Sequence, residues 1–183
     1  MPSHVALLRA VNLAGHNMIG MSDLRELAEA LGFTEARTLL QSGNLVFSTH
    51  SRRSTSRIES ALEKAARERL ALDTCFFVRT SAEWKTLIDE NPFGEEARSD
   101  PGHLLAVVLK DAPGADRVSA LQDSITGREV VRAKRRYLYA VYPDGVGRSR
   151  LTMALIEKKL GTKGTGRNWN TVLKLGALLE PTS

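Results

Sequence analysis

The stretch that decides the fold is residues 38–47, TLLQSGNLVF, in which two short apolar segments flank the polar sequence QSGN. Apolar runs of this length, bounded by turn residues, are typical of β-strands. Glycine readily adopts the backbone angles that tight turns require. The stretch therefore predicts a β-hairpin with its turn near Gly43, and the elements on either side of the hairpin determine the fold class.

One strand and one helix are predicted before this hairpin. Residues 5–8, VALL, form an apolar run that favours a buried strand. Leucine and alanine recur at helical spacing over residues 22–31, with Ser22 as the predicted N-cap and Gly32 as the predicted stop. The chain thus begins with a strand and a helix before it reaches the hairpin.

A helix and a strand are also predicted after the hairpin. Ser56 and Glu59 have the spacing of a capping box, in which each side chain accepts a hydrogen bond from the other residue's backbone N–H. Residues 75–78, CFFV, then predict a strand. The resulting order, β-α-β-β-α-β, predicts a ferredoxin-like α+β domain over residues 1–80, with two helices on one face of an antiparallel sheet.

The remaining residues, 81–183, predict a second α+β domain that partly repeats the first. Thr80 and Glu83 form another capping box, which starts a helix. A loop is expected over residues 92–102, and residues 104–109, LLAVVL, predict a buried strand. The second domain therefore has its own central strand.

The end of this second domain differs from the first. A helix near Pro113 and a hairpin around residues 134–135 are predicted, followed by helices from about 149 to 160 and from about 170 to 179. No strand is predicted between these last two helices. The second domain is therefore expected to have the order β-α-β-β-α, with an extra C-terminal helix in place of the last strand.

Composition excludes several classes of protein and site. The chain has 183 residues, of which 42% are hydrophobic and 26% charged, as expected for a globular protein. No apolar run approaches the ~20 residues that a membrane span requires, and the first residues lack signal-peptide features, so a cytoplasmic location is expected. A single cysteine, Cys75, excludes an intrachain disulfide, and the four scattered histidines predict no metal site. No nucleotide-binding glycine motif or nucleophile elbow occurs, and the sequence leaves any cofactor unknown.

The net charge of +5 is distributed unevenly along the chain. Residues 1–80 carry a net charge of +2 and residues 81–127 a net charge of −5. Residues 128–183 contain twelve Lys and Arg against four Asp and Glu, a net charge of +8. Such a basic segment indicates either an anionic partner or a solvated face balanced by the acidic segment beside it.

Three parts of the chain are more polar than turn formation requires: residues 9–17, residues 41–44, and the paired segments 144–150 and 167–171. Residues 144–150 precede the predicted helix start, where free backbone N–H groups favour an anion. The alternative is that asparagines in these segments satisfy the backbone of their own loops. The candidate ligand-binding residues are Arg9, Asn12, Asn17, Gln41, Asn44, Arg148, Arg167 and Trp169.

These same segments resemble a bacterial family of uncharacterised proteins, catalogued as the domain of unknown function number sixteen ninety-seven. The similarity is carried by residues 7–17, 40–47, 143–149 and 167–172, in the same order along most of the chain. The resemblance implies a two-part α+β fold with a ferredoxin-like N-terminal domain. The family has no established activity, so the resemblance assigns no catalytic residue.

The first functional hypothesis is a pocket between the two halves that binds a small anionic ligand, such as a phosphorylated metabolite or a nucleotide. The candidate residues are rich in hydrogen-bond donors and poor in acids. His16 is the only plausible group for proton transfer, so whether the protein is an enzyme stays open. Six of the side chains, namely those of Arg9, Asn12, Gln41, Asn44, Arg148 and Arg167, are expected to share one continuous surface.

The alternative hypothesis is nucleic-acid binding by the basic C-terminal third, through a sheet used as in RNA-recognition domains. The predicted central strands offer one aromatic residue, Phe47, where base stacking requires two or three. A third hypothesis is an interaction module without a small ligand.

Overall fold

The computed structural model describes residues 1–9, 19–40 and 43–180. Two runs of alternating strands and helices make up this part of the chain, so the α+β class is confirmed. The first run is β1 (Ser3–Leu8), α1 (Met21–Ala30), β2 (Thr34–Leu39), β3 (Asn44–Ser48), α2 (Thr55–Leu70) and β4 (Phe76–Thr80). The second run follows α3 (Ser81–Asp89) and α4 (Gly94–Ser99), and consists of β5 (Leu104–Leu109), α5 (Ala115–Asp123), β6 (Val130–Lys134), β7 (Tyr137–Val141), α6 (Met153–Leu160), β8 (Gly164–Asn168) and α7 (Trp169–Leu179).

Each run forms a four-stranded antiparallel sheet. The first sheet has the strand order β2-β3-β1-β4, with Val5 of β1 opposite Val46 of β3 and Arg79 of β4. The second sheet has the equivalent order β6-β7-β5-β8, with Ala106 of β5 opposite Tyr139 of β7. The two halves of the chain therefore repeat one arrangement of strands.

The chain divides into two compact units. The first contains Met1–Thr86 and the chain from Leu175 onward, and the second contains Leu87–Lys174. In the first unit, α1 and α2 bury their apolar faces against one face of the sheet. Leu24 of α1 and Ile58 of α2 lie in one core cluster with Phe47 of β3. The hairpin that decides the fold is present, and Gly43 at its turn has a φ angle of +73°.

The second unit has its own core on one face of its sheet. Leu121 of α5 and Ile156 of α6 lie in one cluster with Val107, Leu138 and Ala140 of the sheet, all fully buried. The opposite face of this sheet is also buried. Its residues Ala106, Val108, Tyr137, Tyr139 and Arg167 are each at most 6% exposed.

The expectation that the second run lacks its last strand is wrong. Residues 164–168 form β8, which pairs with β5 from Leu105 opposite Asn168 to Leu109 opposite Gly164. A Cβ added at Gly164 would lie 2.8 Å from a methyl of Leu109, and one at Gly166 would lie 2.9 Å from a methyl of Leu105. Glycine allows this close packing on the β5 side chains, whereas its presence in the sequence lowers the apparent strand propensity.

Two predicted N-caps are also wrong. Helix α1 begins after Gly20 rather than at Ser22, and helix α2 begins after Ser54, whose hydroxyl accepts a hydrogen bond from the Arg57 backbone N–H at 3.4 Å. The Ser56–Glu59 box is absent because Glu59 points elsewhere: its Oε1 accepts from the Val78 backbone N–H at 2.8 Å. A tertiary contact therefore overrides a local motif.

The loop expected over residues 92–102 contains regular structure. It includes α4 and a 3₁₀ turn, Pro101–His103. Asn91 introduces this segment by accepting a hydrogen bond from the Phe93 backbone N–H at 3.0 Å. Six residues of helix are too few to show a periodic apolar face in the sequence.

Candidate functional site

A groove of about 230 Å³ lies in the second unit, between the end of α5, the start of β6 and the segment that precedes α6. Residues 124–127 and Glu129 line it after α5. Asp144 and residues 148–151 line it before α6, and Leu155 of α6 completes it. We refer to it as the α5–α6 groove.

Two side-chain pairs hold one wall of the α5–α6 groove to the other. Arg128 donates to both carboxylate oxygens of Asp144, with Nε at 3.1 Å from Oδ2. This hydrogen bonding holds the pKa of the Asp144 carboxyl below its usual value. Ser149 donates its hydroxyl hydrogen to Glu129 Oε1 and accepts from the Leu151 backbone N–H at 3.0 Å. Because the Arg128–Asp144 pair is exposed, it serves to orient the wall rather than to stabilise the fold.

The segment that carries the second wall is fixed by its turn and by a buried tyrosine. Gly145 has a φ angle of +87°, a conformation that other residues rarely adopt, and residues 146–148 form one 3₁₀ turn after it. Tyr142 donates its hydroxyl hydrogen to the Leu151 carbonyl at 3.0 Å, and burial raises the pKa of Tyr142 to about 12. The segment therefore leaves β7 and reaches α6 along a defined path.

The helix start expected near residue 149 is wrong, so residues 144–150 do not run directly into a helix N-terminus. Helix α6 begins only at Met153, and Thr152 caps it by accepting from the Leu155 backbone N–H at 3.3 Å. The Ser149 hydroxyl accepts from the Leu151 backbone N–H and so closes the turn before the helix. Arg148 and Arg150 consequently reach the groove as side chains alone, without a helix dipole behind them.

Arg148 and Arg150, the two arginines of the groove, differ from the neighbouring Arg128 because their guanidinium groups have no partner among the described residues. Both are exposed, and within the described part of the chain neither guanidinium group makes a hydrogen bond or an ion pair. The nearby carboxylates of Asp144 and Glu129 are engaged by Arg128 and Ser149 instead. A guanidinium group binds carboxylate or phosphate oxygens through two parallel N–H donors. The groove therefore presents two cationic groups that can take an anion.

Among the predicted site residues, Arg148 is a lining residue of this groove. Arg150 belongs to the same GVGRSR sequence, in which both arginines are suited to bind a phosphate or a carboxylate, and it also lines the groove. Glu129 could not be identified in this way, because its partner Ser149 lies twenty residues further along the chain.

Arg167 and Trp169 are buried in the second unit. Arg167 of β8 donates through Nη1 to Thr165 Oγ1 at 2.8 Å and to the Gly166 carbonyl at 2.9 Å. Burial lowers the pKa of Arg167 to about 10, so it stays cationic at neutral pH. The ring of Trp169 packs 6.4 Å from that of Tyr139, whose hydroxyl donates to the Leu87 carbonyl at 2.6 Å.

The candidates from the first unit fall into two groups. Arg9 continues β1, with its backbone N–H bonded to the Cys75 carbonyl at 2.9 Å. Asn44 is fully buried and donates from Nδ2 to the Leu39 carbonyl at 2.9 Å, which closes the hairpin. Asn12, Asn17, Gln41 and His16 lie outside the described residues. The expected surface shared by six of the candidates therefore stays a prediction.

Two kinds of feature are absent from the described residues, a metal-binding cluster and a membrane-spanning helix. No three of their His, Cys, Asp and Glu side chains form a group that could hold a metal ion. Within that part of the chain, no helix combines the length and the apolar character that a membrane span needs.

Three comparisons with known proteins give one family and one fold. The family described as Protein of unknown function (DUF1697) matches residues 1–139. The structure of the conserved bacterial protein SP0830 from Streptococcus pneumoniae is similar, with a TM-score of 0.75 and 19% sequence identity over 98% of this chain and 99% of that chain. At this identity the likeness supports the fold alone. No curated protein matches the sequence.

Proposed function

The chain belongs to the family described as Protein of unknown function (DUF1697), and from that premise we propose a function on the basis of its own groove. The protein binds a small ligand in the α5–α6 groove through an anionic group, a carboxylate or a phosphate. Arg148 and Arg150 hold this group. The family match ends at residue 139, so the arginines lie beyond the matched residues and the proposal rests on their chemistry.

One observation carries the proposal. Arg148 and Arg150 line the groove, and within the described chain neither guanidinium group makes a hydrogen bond or an ion pair, although Asp144 and Glu129 line the same groove. Elsewhere in this unit the exposed Arg135 does pair with an acid: it donates to Glu90, with Nε at 3.0 Å from Oε2. In the groove Arg128 engages both oxygens of Asp144 and Ser149 engages one oxygen of Glu129, and neither acid pairs with Arg148 or Arg150, so the positive charge of these two arginines is left for a ligand.

Nucleic-acid binding, the alternative function, has less support. The net charge of +8 over residues 128–183 favours it. Base stacking on the second sheet would need exposed aromatic rings, whereas Tyr137 and Tyr139 are 3% and 0% exposed. The α5–α6 groove, in contrast, offers donors and enclosed volume together.

We also propose that each unit is a ferredoxin-like domain and that the two related domains meet near residue 80. The support is the element order β-α-β-β-α-β in both runs, with the same strand order in both sheets. In each run the first strand lies between the third and the fourth.

Substitution of the groove arginines tests the proposed function. We expect inorganic phosphate or isocaproate, a branched aliphatic carboxylate, to bind the protein in calorimetric titrations at millimolar concentration. Arg148→Gln and Arg150→Gln should each weaken that binding about 10-fold or more, because a charged hydrogen bond contributes roughly 1.5–3 kcal/mol. Arg117→Gln is the matched control, since Arg117 is exposed and lies outside the groove lining. Absence of binding by both anions at about 10 mM would overturn the proposal.

A further inference from the structure

We propose that the ligand of the α5–α6 groove is a zwitterion with an aliphatic body, the chemical class of an aliphatic amino acid. This inference rests on the proposed function, because Arg148 and Arg150 are taken to hold the carboxylate of the ligand. It adds a second charged contact of opposite sign and an apolar contact, each of which depends on different residues of the groove.

The negative contact is Glu129. Its Oε1 accepts the Ser149 hydroxyl, whereas its Oε2 makes no hydrogen bond to any described residue. Gly127, another lining residue, leaves room for this second oxygen, because a Cβ at residue 127 would clash with Oε2. Asp144 is less available, since Arg128 occupies both of its oxygens. A carboxylate has acceptor sites for several donors, so Glu129 can bind an ammonium group while it holds Ser149.

The same carboxylate disfavours a ligand that carries negative charge alone. A phosphate dianion held by Arg148 and Arg150 would share the groove with Glu129, and like charges at short range repel each other. A ligand with an ammonium group beside its carboxylate converts this repulsion into attraction. The charges that line the groove, two arginines and one partly open glutamate, therefore match a zwitterion better than a simple anion.

The body of the ligand follows from the apolar lining and the volume. Ile125, Leu151 and Leu155 supply aliphatic side chains beside the charged groups. The volume of about 230 Å³ is below the range of about 300–1,000 Å³ that drug-sized ligands occupy. A single amino acid with a branched aliphatic side chain has the size and the polarity for such a groove, whereas a nucleotide is too large.

Calorimetric titration with leucine and its two truncated analogues tests the inference. Isocaproate is leucine without its amine, and isoamylamine is leucine without its carboxylate. We expect leucine to bind about 10-fold or more tightly than either analogue, because each analogue leaves one charged contact unmade. Glu129→Gln should bring the affinities for leucine and isocaproate to within about threefold of each other and leave isocaproate binding no weaker. The glutamine can still accept from Ser149, which preserves the wall of the groove.

Controls separate the inference from the proposed function. Glu180→Gln replaces an exposed glutamate outside the groove and should leave the preference for leucine unchanged. If isocaproate or phosphate binds the wild-type protein as tightly as leucine, the zwitterion inference is overturned and the proposed function stands. If leucine, isocaproate and phosphate all fail to bind at about 10 mM, both are overturned. A further outcome would also overturn both the inference and the proposed function: leucine binding that is unchanged in all three variants, Arg148→Gln, Arg150→Gln and Glu129→Gln. The ligand would then lie outside the α5–α6 groove.

Discussion

Arg79 is a charged side chain with no exposed surface, and Glu59 is the acid that accompanies it. Glu59 Oε1 lies 3.5 Å from Arg79 Nη1 and also accepts the Val78 backbone N–H. Arg79 Nη1 donates in turn to the Val78 carbonyl at 2.8 Å. A buried charge is tolerated only when an opposite charge and hydrogen bonds replace its water shell. These contacts join α2 to β4, the edge strand of the first sheet.

His4 of β1 makes the stability of the first unit depend on pH. The ring is 5% exposed and stacks on Phe47 with centroids 5.5 Å apart. Burial lowers the pKa of His4 below its usual value near 6.5, and the Pro2 carbonyl and the charge of Glu83 oppose this only in part. The unfolded chain then binds the proton more readily. Stability is therefore complete above about pH 6.5 and falls as the pH drops from there towards the pKa of the folded state.

We predict that His4→Phe flattens this dependence. Phenylalanine keeps an aromatic ring against Phe47 and has no proton to bind. In urea unfolding between about pH 7 and pH 5, the free energy of unfolding should fall more steeply for the wild type than for His4→Phe. The two slopes should differ by at most about 1.4 kcal/mol per pH unit. His50→Phe serves as the control, because His50 is exposed. Equal slopes for the wild type and His4→Phe would show that His4 titrates as it does in the unfolded chain.

Residue identity alone could not assign roles among the candidate site residues. Arg148 and Arg167 are both arginines in polar, glycine-containing segments, yet Arg148 is exposed in a groove and Arg167 is 6% exposed in a strand. The difference depends on the pairing of β8 with β5, which is not encoded by neighbours in the sequence. Ligand roles for Arg9, Asn12, Asn17, Gln41 and Asn44 stay predictions.

At the scale of elements, two sequence motifs with the same spacing have different outcomes, because only one of them forms a capping box. The Thr80–Glu83 capping box at the start of α3 is confirmed: the Thr80 N–H donates to Glu83 Oε2 at 2.9 Å, and the Glu83 N–H donates to Thr80 Oγ1 at 3.1 Å. The Ser56–Glu59 pair has the same spacing but does not form a box, because α2 is capped by Ser54. Capping strength should follow the contacts rather than the motif.

We predict that Thr80→Ala destabilises the protein by about 0.5–2 kcal/mol, because the Glu83 backbone N–H loses its acceptor. Ser56→Ala is the matched control and should change the free energy of unfolding by less than about 0.5 kcal/mol. Urea unfolding of both variants measures these values. Equal losses in the two variants would contradict the assignment of Ser54 as the cap of α2.

Elements with a strong apolar pattern were predictable, and those defined by tertiary contacts were not. The strand predicted over residues 104–109 is β5 itself, and the hairpin around residues 134–135 is β6 and β7. Helix α6 begins four residues after the expected start near residue 149, because Thr152 caps it. Strand β8 was not predicted because its glycines lower the strand propensity of the sequence. The structure needs glycine there, since a Cβ at Gly164 or Gly166 would clash with side chains of β5.

At the scale of the whole molecule, helix α7 connects the two compact units. It begins at Trp169 in the second unit, and from Leu175 onward the chain belongs to the first. Leu175 is fully buried and Leu179 is 6% exposed, whereas Leu173 on the same helix is 43% exposed. The repeated strand pattern in the sequence predicted two similar halves, but no local pattern could reveal that the first unit includes the end of this helix.

We predict that Leu175→Ala destabilises the first unit by about 2–5 kcal/mol, the usual effect of truncating a fully buried leucine. Leu173→Ala, on the exposed side, should change stability by about 0.5 kcal/mol or less. Amide hydrogen exchange locates the effect, because protection should fall in β1–β4 of the first unit. Loss of protection confined to β5–β8 would contradict the assignment of this segment to the first unit.

The division of the first unit between the beginning and the end of the sequence affects the order of events during synthesis. Residues 1–86 leave the ribosome long before Leu175 does, so the growing chain carries an incomplete first unit while the second unit is still being translated. The second unit is continuous from 87 to 174 and can complete its core as soon as it emerges. The half of the molecule that is made first is therefore the last to be finished.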